Sequence, residues 1–281
     1  MSLPADNHVH SEWSWDARDG SMEQSCAEAL RLGLPSIAFT EHLDHTVWTA
    51  TKEGLADLAP DHPVAVRADT EGRVTPPAFD AVGYLEAVER CRSLFPDLKI
   101  LSGLEIGEPH WHGESVDAVL AAGSFDCVLG SLHCLPDQGR FQEPGDLYAH
   151  RPPGQVVRDY LAEIARLVTS DVFAIVAHIN YPLRSWPEAM EPFDPATYEE
   201  EFRHALCATA DSGKALEINT VLPPDATILR WWREEGGDAV TFGSDAHEPR
   251  SVAQGFAEAA AMAEAIGFRP SDNLLEPWPR S

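Results

Sequence analysis

Short apolar runs alternate with amphipathic stretches along the chain, and this alternation restricts the fold more than any other feature. Seven runs have the composition of buried strands: Leu3–His10, Pro35–Thr40, Lys99–Glu105, Phe125–Ser131, Phe173–His178, Ala215–Asn219 and Ala239–Gly243. The amphipathic stretches predict helices over Met22–Leu32, Val82–Leu94, Gln155–Thr169, Tyr198–Ala210 and Ala257–Ile266. Strands that alternate with helices favour a parallel sheet with crossover helices. Seven strands at near-regular spacing predict an α/β fold with a closed or nearly closed barrel, in preference to an open two-layer sheet.

The regular spacing is interrupted once, between the second and third predicted strands. Residues 45–78 contain several prolines and many charges and show weak periodicity. Loops of this length are usually functional covers or disordered excursions. We therefore expect a single domain over residues 1–281, with a loop insertion at about 45–78 over the mouth of the barrel.

Charge and composition exclude several classes of partner. The formal net charge of −26 argues against nucleic acid and against acidic membranes. The chain has no run of 18 apolar residues, and its beginning lacks the basic and apolar segments of a signal peptide. Its five cysteines are widely spaced, without a C-x-x-C motif, which fits a reducing cytoplasm. We expect a cytoplasmic protein with a small-molecule substrate.

Potential metal ligands follow nearly every predicted strand. In α/β barrels the reactive groups lie at the carboxyl ends of the strands, and the residues placed there are His8, His10, Glu41, His42, Glu105, His133, His178, Asp245 and His247. The i, i+2 spacing of His8 and His10 puts both imidazoles on one face of an extended chain. Asp16 follows this pair within a short loop. Imidazole and carboxylate bind divalent transition metals, so the pattern predicts a metal hydrolase.

The motifs then become specific enough to indicate a family. They are Asp6-Asn7-His8-Val9-His10, Thr40-Glu41-His42, Gly103-Leu104-Glu105, Gly130-Ser131-Leu132-His133, Ala177-His178 and Gly243-Ser244-Asp245-Ala246-His247. With them the chain resembles the polymerase-and-histidinol-phosphatase (PHP) family, and this resemblance implies a distorted seven-stranded (β/α)7 TIM-like barrel. Three further segments are most similar to histidinol-phosphate phosphatases: Ser14-Trp15-Asp16, Gly103-Leu104-Glu105-Ile106-Gly107 and Leu216-Glu217-Ile218-Asn219-Thr220. The loop that follows, Val221-Leu222-Pro223-Pro224, departs from that pattern.

The resemblance implies two to three divalent metal ions, of zinc, iron or manganese, in three ligand sets. The first set is His8, His10, Glu105 and Asp245; the second is Glu105, His133 and His178; the third is Asp16, His42 and His247. Glu105 would bridge two of the metals. Many family members have histidine where this chain has Asp16, and a carboxylate there favours iron or manganese over zinc.

The expected reaction is metal-dependent hydrolysis of a small phosphate ester, most simply L-histidinol phosphate. Metal-activated water would attack, and the metals would hold the phosphoryl oxygens. We expect Glu105, Asp245, His247 and Arg184 to be catalytic, with substrate contacts from Arg184, Arg250, Asn219 and Glu108. His110-Trp111-His112 forms a second H-x-H motif, which we interpret first as a plain loop pair.

Three alternatives remain open. A PHP phosphoesterase acting on a nucleotide, cyclic phosphate or sugar phosphate would use the same metals. A metal-dependent amidohydrolase is also compatible with H-x-H and a late aspartate, but many of these bridge their metals with a modified lysine. Lys99 and Lys214 begin strands and so lie at the opposite rim. A non-catalytic metal-binding protein is disfavoured because no expected ligand is missing.

Overall fold

The computed structural model describes residues 3–273 and 276–281, which form an α/β fold built on one large sheet. The strands are β1 (Asp6–Val9), β2 (Ser36–Leu43), β3 (Trp48–Thr49), β4 (Arg73–Val74), β5 (Lys99–Gly107), β6 (Cys127–Ser131), β7 (Leu135–Asp137), β8 (Arg140–Gln142), β9 (Ile175–Val176), β10 (Ala215–Asn219), β11 (Ala239–Gly243) and β12 (Trp278–Pro279). Within the described residues, the large sheet has eight strands in the order β1-β2-β5-β6-β9-β10-β11-β12. Neighbouring strands are parallel except for β11 and β12, which are antiparallel.

Helices connect the parallel strands. They are α1 (Met22–Leu32), α2 (Lys52–Asp57), α3 (Pro63–Arg67), α4 (Ala81–Leu94), α5 (Gly113–Leu120), α6 (Pro144–Leu147), α7 (Pro153–Leu167), α8 (Glu199–Asp211), α9 (Ala226–Glu234) and α10 (Phe256–Ile266). Short 3-10 helices cover Tyr181–Ser185, Pro195–Tyr198 and Pro249–Ser251. The ends of α1 show why the prediction of this helix was accurate. The Ser21 side chain accepts a hydrogen bond from the Gln24 N–H, and Gly33 ends the helix at a φ of +74°.

Each of the seven predicted strand segments overlaps a strand of the large sheet, but the predicted count of seven is not confirmed. The eighth strand, β12, pairs with the beginning of β11 through Trp278 and Val240. It has only two residues, one of them proline. A segment this short carries no periodicity, so sequence pattern could not reveal it.

The sheet curls until its first strand meets the end of its last parallel strand. The Asp245 N–H donates to the His8 carbonyl at 2.8 Å, and the His10 N–H donates to the Ala246 carbonyl at 2.9 Å. Most of the apolar core lies between the sheet and the helices, around Phe39 and Trp232. The carboxyl ends of the parallel strands therefore face one shared region.

Residues 45–78 form two short helices and a two-stranded antiparallel sheet in place of an irregular loop. β3 and β4 pair antiparallel through Trp48 and Val74, and α2 and α3 lie between them in the chain. Thr46, Trp48 and Val64 line the cavity at the carboxyl end of the sheet. The interpretation of this segment as an insertion that covers the site stays a prediction.

No helix in the described part of the chain is long and apolar enough to span a membrane.

Candidate metal centre

Glu105, near the end of β5, lies at the centre of a cluster of histidines. Its side chain is fully buried. One oxygen, Oε1, lies 2.7 Å from His178 Nε2 and 3.2 Å from His133 Nε2. The other, Oε2, lies 3.1 Å from His42 Nδ1 and 3.4 Å from His8 Nε2. A carboxylate with imidazoles on both oxygens has the arrangement of a bridging metal ligand.

His8 and His10 point their Nε2 atoms at each other across 3.1 Å. Two ring nitrogens bound to one tetrahedral zinc at about 2.0–2.1 Å would lie about 3.3 Å apart. Both opposite nitrogens have acceptors: His8 Nδ1 lies 2.6 Å from Glu217 Oε1, and His10 Nδ1 lies 2.9 Å from Ser14 Oγ. Because these acceptors take the Nδ1 protons, both Nε2 lone pairs are free to bind a cation.

A second layer of hydrogen bonds fixes these rings. The Ser14 hydroxyl accepts from His10 and from the His42 backbone N–H, and donates to Glu41. Glu41 also accepts from the Ser11 hydroxyl and backbone N–H. Glu41 therefore orients ligands and does not face the cluster itself, consistent with its alternation with His42 along β2.

Asp16, His42 and His247 meet on the outer side of the cluster. Asp16 Oδ2 lies 3.2 Å from His42 Nε2 and 3.3 Å from His247 Nε2. The rings of His42 and His10 stack with centroids 4.3 Å apart. The structure thus brings the third predicted ligand set together beside the first.

Asp245 connects the metal ligands to a basic side chain. Its Oδ1 lies 3.2 Å from His10 Nε2, and its Oδ2 accepts from Arg184 Nη2 at 2.7 Å and from Asn219 Nδ2 at 3.2 Å. Arg184 Nη2 also donates to Asn219 Oδ1 at 2.9 Å, and its guanidinium lies over the ring of Tyr181. Asp245 adopts a φ of +52°, a conformation that aspartate tolerates better than most residues.

The electrostatics of the cluster are strongly coupled. Burial alone would raise the pKa of Glu105, but the imidazoles of His8, His133 and His42 hold it well below its usual value. Burial opposes protonation of His8, yet the carboxylates around it, Glu217 first, raise its pKa well above the usual value. Burial and the neighbouring histidines lower the pKa of His10 to about 3. His10 therefore favours the neutral form that binds metal, whereas His8 would release its proton on metal binding.

The donor set fits divalent metal ions. Glu105 Oε2, His42 Nδ1, His178 Nδ1 and Asp16 Oδ1 are buried without a hydrogen-bond partner among the described residues. Buried polar atoms are rarely left unpaired, and cations would compensate several of these. Four groups of three have ligand atoms close enough for one ion: His8/His10/Asp245, Glu105/His133/His178, His10/His42/His247 and His42/Asp44/His133. The first of these groups lies within the first predicted set, and the second group is the second predicted set. The group that contains His42 and His247 differs from the third predicted set, because it includes His10 in place of Asp16.

Sequence reasoning did not include Asp44 and Glu217 among the site residues. Asp44 lies 3.5 Å from both His42 and His133 and accepts a hydrogen bond from the Trp15 ring. Glu217 binds His8 and also accepts from the His178 backbone N–H at 2.8 Å. Glu217 lies two positions before Asn219 on β10 and so shares its face of the strand. Asp44 follows directly after the end of β2, two positions beyond His42.

The predicted substrate contacts differ in their placement. Glu108 lines the cavity, but its carboxylate is fully engaged: it accepts from the backbone N–H groups of His133 and Cys134 and from the Thr46 hydroxyl. Arg250 lies outside the cavity, with 83% of its side chain exposed and an ion pair to Glu248. Its placement gives no support to a substrate contact, because the 3-10 helix after His247 directs it away from the metal ligands.

The cavity beside the cluster has a volume of about 150 Å³. Metal ligands and Arg184 form one part of its wall. The remainder is lined by Trp15, Asp44, Thr46, Trp48, Val64, Glu108, Cys134, Glu143 and Tyr181. This size suits a small ligand. Within the described residues, its lining includes no lysine.

Comparison with known proteins finds one matching family and several relatives. A family model described as the PHP domain matches residues 6–221. Histidinol-phosphatase of Lactococcus lactis subsp. lactis (strain IL1403) is 25% identical over 94% of this chain and 91% of its own length. Two proteins described as probable histidinol-phosphatases are similar over comparable spans. That of Deinococcus radiodurans is 26% identical, covering 96% of both chains, and that of Clostridium acetobutylicum is 27% identical, covering 94% of both.

Solved structures share the fold. The crystal structure of histidinol phosphate phosphatase from Lactococcus lactis subsp. lactis Il1403, complexed with zinc, L-histidinol and phosphate, superposes with a TM-score of 0.75 at 23% identity over 95% of each chain. A putative histidinol phosphatase from Listeria monocytogenes has a TM-score of 0.68 at 18% identity, over 90% of this chain and 99% of the other. At these identities the likeness establishes the architecture.

Proposed function

The chain belongs to the PHP domain family, and we propose that it is a metal-dependent phosphatase that hydrolyses L-histidinol phosphate to L-histidinol and phosphate. The observation that carries the proposal is the convergence of the nine predicted ligands around Glu105, next to an arginine and a small cavity. The relatives support the substrate, because those compared above match nearly the whole chain and bear the name of that activity.

The three ligand sets would hold two to three divalent ions. His8, His10, Glu105 and Asp245 would hold the first, Glu105, His133 and His178 the second, and Asp16, His42 and His247 the third. When bound, such ions supply a hydroxide nucleophile at neutral pH and neutralise charge on the phosphoryl oxygens. Nitrogen and oxygen donors together suit zinc, iron or manganese.

Arg184 is the residue best placed to bind the phosphate. Among the described residues, its Nη2 is engaged with Asp245 and Asn219, whereas Nε and Nη1 have no hydrogen-bond partner. Arginine has five N–H donors in a planar fork, so the free ones can bind two oxygens of a phosphate. Asn219 and Asp245 orient the fork, and we assign Asn219 this positioning role.

The remaining predicted catalytic residues are metal ligands. Glu105, Asp245 and His247 would hold the ions, which would supply the nucleophile and neutralise charge on the phosphoryl group. The buried second layer of Glu217, Ser14 and Glu41 keeps the rings in the tautomer that binds metal. Glu108 supports the site by fixing the backbone at His133, and we retain a substrate contact for it only as a prediction.

Metal analysis followed by phosphate-release assays tests the proposal. The purified protein should contain at least two equivalents of zinc, iron or manganese. It should hydrolyse L-histidinol phosphate with a higher kcat/KM than nucleotides, sugar phosphates or an aryl phosphate. If the protein binds metal but prefers another phosphate ester, the phosphatase assignment stands and the substrate assignment is wrong. Hydrolysis of cyclic amides without phosphatase activity would favour the amidohydrolase alternative, for which the described lining of the cavity offers no lysine.

A further inference from the structure

One carboxylate in the cavity wall has no partner. Three acidic residues outside the predicted ligand sets line this cavity: Asp44, Glu108 and Glu143. Asp44 accepts from the Trp15 ring and lies beside His42 and His133. Glu108 accepts three hydrogen bonds. Within the described residues, the side chain of Glu143 makes neither a hydrogen bond nor an ion pair, and it does not cap the helix that it precedes.

The segment that carries Glu143 is held firmly. Glu143 lies between β8 and α6, and both of these elements form hydrogen bonds with the insertion at residues 45–78. Gln142 Nε2 donates to the Thr49 carbonyl at 3.2 Å. Asp146 Oδ1 accepts from the Thr51 backbone N–H and hydroxyl at 2.8 and 2.6 Å. A carboxylate presented by a fixed backbone is preorganised for a ligand and loses little entropy on binding.

A partly buried carboxylate that lacks a cationic partner attracts a cation. Consistent with this, burial raises the pKa of Glu143 to about 7, assisted by the acidic side chains of Asp146, Asp44 and Glu108 and opposed by His133. The described cavity wall supplies one arginine, Arg184, which is already bound to Asp245. The cation that pairs with Glu143 would therefore be part of the ligand.

Cationic and anionic recognition thus occur in one cavity. Arg184 and the metal ligands form the part that attracts phosphate. Tyr181 lines the same cavity and interacts with both groups: its ring contacts the Arg184 guanidinium, and after burial the charge of Glu143 contributes most to its raised pKa. A ligand that spans the cavity would carry a phosphate at one end and a positive charge at the other.

We propose that Glu143 is a specificity-determining residue that pairs with a cationic amine of the substrate, so that the enzyme selects phosphate esters of amino alcohols over neutral alkyl phosphates. This inference rests on the proposed function and extends it to the part of the substrate distant from the phosphorus. Pairing of an ammonium with a preorganised carboxylate contributes to binding of both ground state and transition state, so its loss raises KM more than it lowers kcat.

The test compares Glu143→Gln with wild type on pairs of esters that differ in the amine. L-histidinol phosphate and phosphoethanolamine carry it, and ethyl phosphate does not. We expect Glu143→Gln to lower kcat/KM for L-histidinol phosphate by about 10- to 100-fold, mainly through KM. Activity on ethyl phosphate should stay within about twofold, and the inhibition constant of L-histidinol should rise in parallel. Glu86→Gln, an exposed glutamate on α4, is the matched control.

Two further measurements keep the inference open to refutation. Glu143→Asp retains the charge and should keep most of the preference for amine esters, and the metal content of every variant should equal that of wild type. Equal losses on amine and neutral esters, or an unchanged preference in Glu143→Gln, would overturn the assignment of Glu143 while the phosphatase remained. A wild-type enzyme with no preference for amine esters would overturn both the proposed substrate and this inference.

Discussion

The ring of His8 is hydrogen-bonded to Glu217 across 2.6 Å, although 209 positions separate the two residues in the chain. Gly243 makes room for this pair, because a Cβ at that position would lie 2.0 Å from Glu217 Oε1 and 2.6 Å from the His8 Cβ. The same carboxylate binds the His178 backbone N–H. One buried glutamate thus orients ligands of two predicted metal ions.

Replacing Glu217 should weaken metal binding without removing a ligand. Glu217→Gln keeps the shape but cannot accept hydrogen bonds from both His8 and the His178 N–H. We expect metal affinity to fall about 10- to 100-fold, as is typical for loss of a carboxylate that orients a histidine ligand. Chelator competition followed by metal analysis measures the change, with Glu86→Gln as control. Unchanged affinity would show that the hydrogen bond to His8 has no part in metal binding.

Glu105→Gln should remove two metals together. Glu105 contacts the ligands of both the first and second predicted sets through its two oxygens, and a neutral amide is a poor bridging ligand. Metal analysis should show at most one equivalent remaining, with kcat reduced by at least about 1,000-fold. Loss of a single equivalent would contradict the bridging role.

Arg184 and Arg250 should behave differently on substitution. Arg184→Ala removes the free N–H donors next to the cluster and leaves Asp245 without its cation, so we expect kcat/KM to fall about 100- to 1,000-fold. Arg250→Ala, an exposed residue paired with Glu248, should change kcat/KM less than about twofold. Initial rates of phosphate release measure both. Similar losses for the two variants would mean that Arg250 also reaches the substrate.

Removal of the metals should destabilise the fold. The ions bind the native state and not the unfolded chain, so they stabilise it in proportion to the logarithm of their concentration over Kd. Without them the buried carboxylates and imidazoles lose their partners. We expect dialysis against a chelator to lower Tm by at least about 5 °C, and added zinc or manganese to restore it, as measured by calorimetry. A Tm that is independent of metal would contradict a buried metal centre.

Stability should depend on pH through Glu143. Its pKa is raised from 4.5 to about 7 in the folded protein, chiefly by burial. Between these values the folded state holds a proton that the unfolded state has released, so this residue costs stability progressively as pH rises from about 4.5 to 7. The groups that act on Glu143 are His133, Asp146, Asp44 and Glu108.

Glu143→Gln removes this cost. The variant should match wild type near pH 5 and exceed it at pH 8 by on the order of 1 kcal/mol, a figure reduced for partial solvent access to the cavity. Urea unfolding of both metal-loaded proteins at the two pH values provides the comparison. A difference that is the same at pH 5 and pH 8 would exclude titration of Glu143 as its source.

Much of the fold could be predicted from the sequence, and so could the close approach of the proposed ligands in space. Strands β10 and β11 have the predicted bounds, and α1 matches its prediction. Their ends coincide with changes in periodicity or with capping residues, which are local signals. The proposed ligands could be predicted for a similar reason. Because the carboxyl ends of parallel strands meet at one rim of the sheet, residues at those ends are expected to lie close to one another.

The features that were missed depend on contacts between distant segments. Glu143 reaches the cavity only because β7 and β8 fold back after His133 and α6 binds Thr51. Asp44 joins the cluster because β2 continues beyond its predicted end, to Leu43. Arg250 was expected near the substrate because it follows His247, but the 3-10 helix at Pro249 turns it outward. Short hairpins and tight turns leave no periodic pattern in the sequence.

The two hydrogen bonds that join β1 to the segment after β11 link metal binding to biosynthesis. His8 and His10 are translated before Asp245 and His247, so the first predicted ligand set lacks Asp245 until β11 has been synthesised. Binding of an ion by the complete set therefore follows synthesis of that strand.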